Sequence, residues 1–168
     1  MKRLFCIVCV IVLCLAMTAC DPGTYNLRQE TDPQDVVSVE LIQYDNPKQK
    51  KFASWVPDYF IKLRPIDLSA VTVLETLEEE SKETFLDQLS RERILWKYYV
   101  FDSPKGVCIR ITYSCGDCLI VSADYENESY RGYIGMYNAD GEVTDFYGSF
   151  VSYYSFESLV DDYFDTNI

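Results

Sequence analysis

Two of the seven cysteines stand as Cys115-Gly116-Asp117-Cys118, a spacing at which one thiolate can attack a partner disulfide and the second can resolve the mixed disulfide. That chemistry needs a first thiol of lowered pKa, which a helix N-terminus following a strand supplies. Here β-branched, apolar runs lie on both sides and no helix-forming run follows, so the motif reads as a β-hairpin tip. Cys115 and Cys118 then flank a tight turn whose ends approach within ~7 Å, compatible with the ~4.4–6.8 Å between the Cα atoms of a disulfide. The pair is expected to be either joined as a local disulfide or reduced at both thiols. Cys108 shares a strand with Cys115 and lies roughly 23 Å from it at ~3.3 Å per residue, so it is expected to stay a free or inert thiol. A zinc site would want four thiolates or histidine, and the chain has no histidine; no metal is expected.

Asn138-Ala139-Asp140-Gly141-Glu142 imitates half of a calcium loop, since alternating oxygen ligands suit a hard cation. The remaining ligands are missing, and Asn followed three residues later by Gly is what a hairpin turn with a left-handed residue requires. Pairing Asn138 with Glu142 and counting outward puts Tyr130, Ile134, Met136, Phe146 and Phe150 on one face. Tyr133, Tyr137 and Tyr147 fall on the other, as a packed second layer or as a flat binding face with hydroxyl handles. Asn127-Glu128-Ser129 has the form of a glycosylation acceptor and reads as a loop.

The absence of histidine excludes Ser-His and Cys-His nucleophile pairs and histidine pH switching. With 15 basic against 27 acidic residues the net charge is −12, which repels nucleic acid; no nucleic-acid partner is expected. There is no Gly-rich phosphate loop, GxSxG or Ser-x-x-Lys, and no cofactor is implied. A pair of catalytic carboxylates is defined by separation in space, so 27 acids single out none.

Residues 1–20 have a basic start (Lys2, Arg3), an apolar stretch over 4–17, and then Thr18-Ala19-Cys20. The stretch is shorter than the ~20 residues of a membrane-spanning helix and has the layout of an export signal. It resembles the signal of bacterial lipoproteins, whose lipobox ends in a small residue before the Cys that receives diacylglycerol, although Leu is commoner where this chain has Met17. The resemblance implies cleavage after Ala19, acylation of Cys20 with palmitate-type chains, and a cell-membrane location, lipid-anchored on the extracytoplasmic face. Loss of residues 1–19 removes Cys6, Cys9 and Cys14 and leaves a mature net charge of −14. Residues 20–35 are polar, carry two prolines and show no apolar periodicity, so they read as the lipidated Cys and a flexible tether. At ~5–6 Å × √n such a tether reaches on the order of 20 Å.

Residues 36–168 read as one domain. Val36–Tyr44 is a β-branched run closed by Asp45-Asn46-Pro47, and 59–63 and 70–74 are weaker strands. Thr76 and Glu79 stand at capping-box spacing, predicting a helix from Leu77. Its acidic first turn and basic last turn (Arg91, Arg93) suit the helix dipole, and Leu77, Phe85, Leu86 and Leu89 form an apolar stripe. Strand runs follow at 94–101, 107–114, 119–125, 130–137 and 143–150. Ser155 then reads as an N-cap before Phe156, Leu159, Val160, Tyr163 and Phe164, one apolar helical face. The expected fold is α+β: an antiparallel β-meander sheet with two helices packed on one face.

The segments KGVCIRITYSCGD, YIGMYNADGEVTDFYGSF and FESLVDDYF resemble small uncharacterised lipoproteins of low-GC Gram-positive bacteria. The resemblance covers the last third of the chain, and its segments are core pattern and turns, so it implies a location and a fold but no activity. The function expected is a membrane-tethered binding domain, non-enzymatic, meeting an envelope protein or glycan through its sheet or hairpin tips and the membrane through the lipid on Cys20. The alternative is a cell-envelope enzyme using carboxylates or the CGDC thiols.

Overall fold

The computed structural model describes residues 24, 25, 27, 31–44, 65–95, 104, 106–122, 133–150 and 155–165, with 24, 25, 95, 133 and 146–150 described through their backbone. Strand β1 is Thr24–Tyr25, β2 is Val36–Tyr44, β3 is Val71–Thr76, β4 is Ile94–Leu95, β5 is Gly106–Tyr113, β6 is Cys118–Ser122, β7 is Tyr133–Tyr137 and β8 is Val143–Phe150. Helices α1 (Glu79–Arg91) and α2 (Ser155–Tyr163) complete the set, with a single 3-10 turn at Leu68–Ala70. The strands form one sheet in the order β1-β4-β8-β7-β6-β5-β2-β3, and every pairing is antiparallel. From β5 to β8 consecutive strands are neighbours, a meander, and the fold is α+β as its periodicities predict.

Both helices lie on one face. There Val39, Leu41, Ile109, Ile111, Leu119, Val121 and Ile134 meet Phe85, Leu86 and Leu89 of α1 and Phe156, Leu159 and Val160 of α2 in one buried cluster. The period of two along each strand and the 3.6 period along each helix account for this layer. Phe85 anchors the contact between helices, edge-on to Tyr163 (ring centroids 5.3 Å apart) and to Phe164 (6.2 Å). The opposite face buries a smaller cluster of Ile42, Tyr44, Ile66, Cys108, Cys118, Ile120 and Tyr137. Residues 65–71 lie over it, held where the Tyr44 hydroxyl accepts from the Asp67 N–H at 3.0 Å.

Several expectations need correction. The described residues of the expected tether are not free: β1 pairs with β4, Leu27 is fully buried in the main cluster, and the Thr31 hydroxyl and N–H both donate to the Leu27 carbonyl. One apolar side chain in a polar stretch gives no periodicity, yet Leu27 belongs to the core. Thr76 does not cap α1. It sits in edge strand β3 opposite Glu40, and the Leu77 N–H donates to the Val39 carbonyl at 2.9 Å, so the chain stays extended and Glu78 becomes the N-cap. Ser155 lies in the first turn of α2, its hydroxyl donating to the Glu92 carboxylate at 2.6 Å. Of the run 94–101 only Ile94–Leu95 is described as strand. The strand expected at 59–63, the loop at Asn127 and everything before Thr24, Cys20 included, lie outside the described residues.

Candidate functional site

The two tight hairpins carry the sequence motifs, and they are built alike. In the first, the Tyr113 N–H donates to the Asp117 carbonyl and the Gly116 N–H to the Tyr113 carbonyl, both at 2.9 Å. In the second, the Asn138 N–H donates to the Glu142 carbonyl and the Gly141 N–H to the Asn138 carbonyl, again both at 2.9 Å. Each is a three-residue loop whose last residue takes a positive φ, 92° at Gly116 and 78° at Gly141, the conformation glycine adopts without steric penalty. The Asn138 side-chain oxygen stiffens the second loop by accepting from the N–H groups of Asp140 (3.0 Å) and Glu142 (2.8 Å).

The pairing of β6 with β7 sets the two tips side by side: a Cβ on Gly116 would stand 3.6 Å from the Ala139 Cβ. Each tip is braced from outside the meander. The Ser114 N–H donates to the Asp35 carbonyl at 2.9 Å, and the Ile66 N–H donates to the Gly141 carbonyl at 2.8 Å. Residues 65–71 press so closely on the second tip that a Cβ on Gly141 would lie 2.1 Å from the Ile66 oxygen. The result is a fixed ridge exposing Ser114, Cys115, Ala139, Asp140 and Glu142. Its carboxylates form no metal-holding group, and none exists among the described residues.

The CGDC thiols point to different places. Cys115 is exposed at the tip, whereas Cys118 and Cys108 are buried, and no disulfide joins any of the three among the described residues. Cys118 begins β6 and faces the smaller cluster, opposite Thr112 and Tyr137. Cys108 lies opposite Ser122, four residues along the ladder from the Thr112–Cys118 pair, or roughly 13 Å. Burial pushes the Cys118 thiol from 9.0 up to about 11; Arg110 pulls it back, and Asp117 and Glu40 add to the rise. The motif sits between strands with no helix dipole, and its second thiol is held protonated at neutral pH.

Two charged contacts were not legible as a site. Arg110 Nε donates to Glu40 Oε2 at 2.7 Å across β5 and β2, the side chains 19% and 15% exposed. Lys82 of α1 is buried, with Nζ donating to the Val36 carbonyl at 3.1 Å and pairing with Glu79 at 2.8 Å. The first joins residues seventy apart in sequence, which no local pattern reveals. The second had only the i, i+3 spacing of Glu79 and Lys82 as a signal. In both, opposite charges neutralise one another.

The β7–β8 register from which the tyrosine face was counted, with Tyr133 opposite Tyr147, is not the one that forms. Tyr137 is fully buried with Ile66, Cys118 and Ile120, as in the packed-layer reading. Two register shifts, at Ile134/Gly135 and Met136/Tyr137, move the pairing so that Tyr133 opposes Ser149 and Gly135 opposes Phe146. Tyr147 is thus left out of the ladder register rather than opposite Tyr133. Glycines at 135 and 148 suit such bulges. No protein-family model, no curated protein and no solved structure matches the chain.

Proposed function

We propose that the protein is a lipid-anchored, extracytoplasmic domain that binds a protein or glycan of the cell envelope through its paired hairpin tips and catalyses no reaction of its own. The observation that carries the anchor is Thr18-Ala19-Cys20 closing an apolar stretch behind Lys2 and Arg3, directly ahead of the folded domain. The binding surface is supported by the construction of the ridge. Two loops that glycine and backbone bonds hold rigid lose little conformational entropy when they are contacted. Against the thiol-redox alternative stands the place of Cys115, the thiol that would attack: it is exposed at a hairpin tip between two strands, not at the helix N-terminus that activates such a thiol.

Substituting Cys20→Ala in cells fed a labelled fatty acid should abolish lipid labelling and shift the protein out of the membrane fraction. Continued labelling would overturn the anchor. A photocrosslinking residue at Ala139 in intact cells should give envelope adducts that the same residue at Asp161 on exposed α2 surface does not. Identical adducts from both positions would contradict the ridge as binding surface.

A further inference from the structure

We infer that the corner formed by β1, β4 and the end of α1 is the face this protein presents to lipid headgroups, the membrane-distal surface being the β2–β3 edge. The inference rests on the lipid-anchored reading above. Its basis is how little chain separates Cys20 from the fold. β1 begins at Thr24, and Leu27, three residues on, is fully buried. Four residue steps at ~3.3–3.6 Å limit the distance from Cys20 to Thr24 to about 14 Å whatever their conformation.

An acyl chain on Cys20 therefore holds β1 at the bilayer surface. β1 brings its neighbours with it, since Thr24 pairs with Leu95 and Tyr25 with Ile94, and β4 in turn pairs with Ser149 and Phe150 of β8. At the other end of the same sheet lies β3, seven strand spacings of ~4.8 Å or roughly 34 Å from β1 along the sheet. The charge distribution agrees. In a chain of net charge −12, the charges at the turn from α1 into β4 balance, exposed Arg91 and Arg93 against Asp87, which pairs with Arg91, and Glu92. A locally neutral corner is the part of an acidic domain that anionic headgroups repel least.

The test is quenching by nitroxide-headgroup lipid in phosphatidylcholine vesicles containing phosphatidylglycerol. The protein is purified from membranes of an expressing bacterium, with Cys115→Ser and one fluorophore on Arg93→Cys or on Thr72→Cys of β3, both exposed positions; Arg91 stays in place in both. Quenching at 93 should exceed that at 72 several-fold. A Gly/Ser insert of about fifteen residues after Gly23 should bring both to the same weak level. Equal quenching at the two positions without the insert, or stronger quenching at 72, would overturn the inference. Mass spectrometry of the same samples reads the lipid on Cys20. If it is missing the anchored reading fails, and coupling a maleimide lipid to the Cys20 thiol then tests the geometry alone, by the same comparison of 93 with 72.

Discussion

Gly116 and Gly141 occupy the same position in two hairpins of the same type, so replacing each with alanine separates backbone strain from steric contact. Both have positive φ, 92° and 78°, and a Cβ there costs roughly 1–2 kcal/mol at either site. Their surroundings differ. The added methyl at 116 meets the Ala139 Cβ at 3.6 Å, an ordinary contact, whereas at 141 it meets the Ile66 oxygen at 2.1 Å and the Ile66 carbonyl carbon at 3.2 Å. These are backbone atoms, so residues 65–71 must move. Moving them breaks the 2.8 Å bond from the Ile66 N–H to the Gly141 carbonyl, about 0.5–1.5 kcal/mol net, and draws Ile66, 4% exposed, away from the smaller cluster, up to ~1.5–3 kcal/mol. Gly141→Ala should therefore lose roughly 3–6 kcal/mol against ~1–2 for Gly116→Ala in urea denaturation followed by circular dichroism. Equal losses at the two sites would refute the bracing of the second tip by residues 65–71, and with it the fixed ridge.

Replacing Lys82 with Met keeps most of the aliphatic stem but strands the buried Val36 carbonyl that Nζ now satisfies at 3.1 Å. The loss should be ~1–3 kcal/mol, while Glu79→Gln, at a side chain 82% exposed, should stay within about 0.5 kcal/mol; denaturation midpoints distinguish the two. In α2 and just past its end, Leu159→Asp or Phe164→Asp should unfold the domain, since each places a charge in the main cluster, whereas Asp161→Ala at an exposed position should melt with the parent. The Cys118 thiol is raised in the folded state, from 9.0 to about 11. Its contribution is therefore intact below pH 9 and lost as pH rises through 11, by about 2–3 kcal/mol in full. Stability measured from pH 8 to 11 should fall more steeply in the parent than in Cys118→Ala, and iodoacetamide at pH 8 should label Cys115 in the native protein while sparing Cys108 and Cys118.

Much of the fold is written locally. The β-branched run Val36–Tyr44 is a strand over that same span. The stripe Phe85, Leu86 and Leu89 and the face Phe156, Leu159 and Val160 are the helical residues in the core. Both hairpin turns follow from one glycine each, because a left-handed residue after a type I turn leaves few alternatives. What escaped the sequence depends on contacts between distant segments. Leu27 is buried by a cluster drawn from most of the chain. Thr76 obeys the ladder with β2 rather than its own capping pattern, and the bulges beside Gly135 set Tyr133 opposite Ser149 where simple counting sets it opposite Tyr147. The candidate site was half legible: each tip could be read from its turn residues, but their adjacency and the brace from Ile66 arise only once β6 and β7 pair.

The most direct measurement is tandem mass spectrometry of the N-terminal peptide of the protein isolated from membranes. It should begin at Cys20 and carry the mass of a diacylglyceryl group on that residue, with Asp21-Pro22-Gly23 following unmodified. A peptide beginning elsewhere, or an unmodified Cys20 in membrane-isolated protein, would contradict the anchored domain.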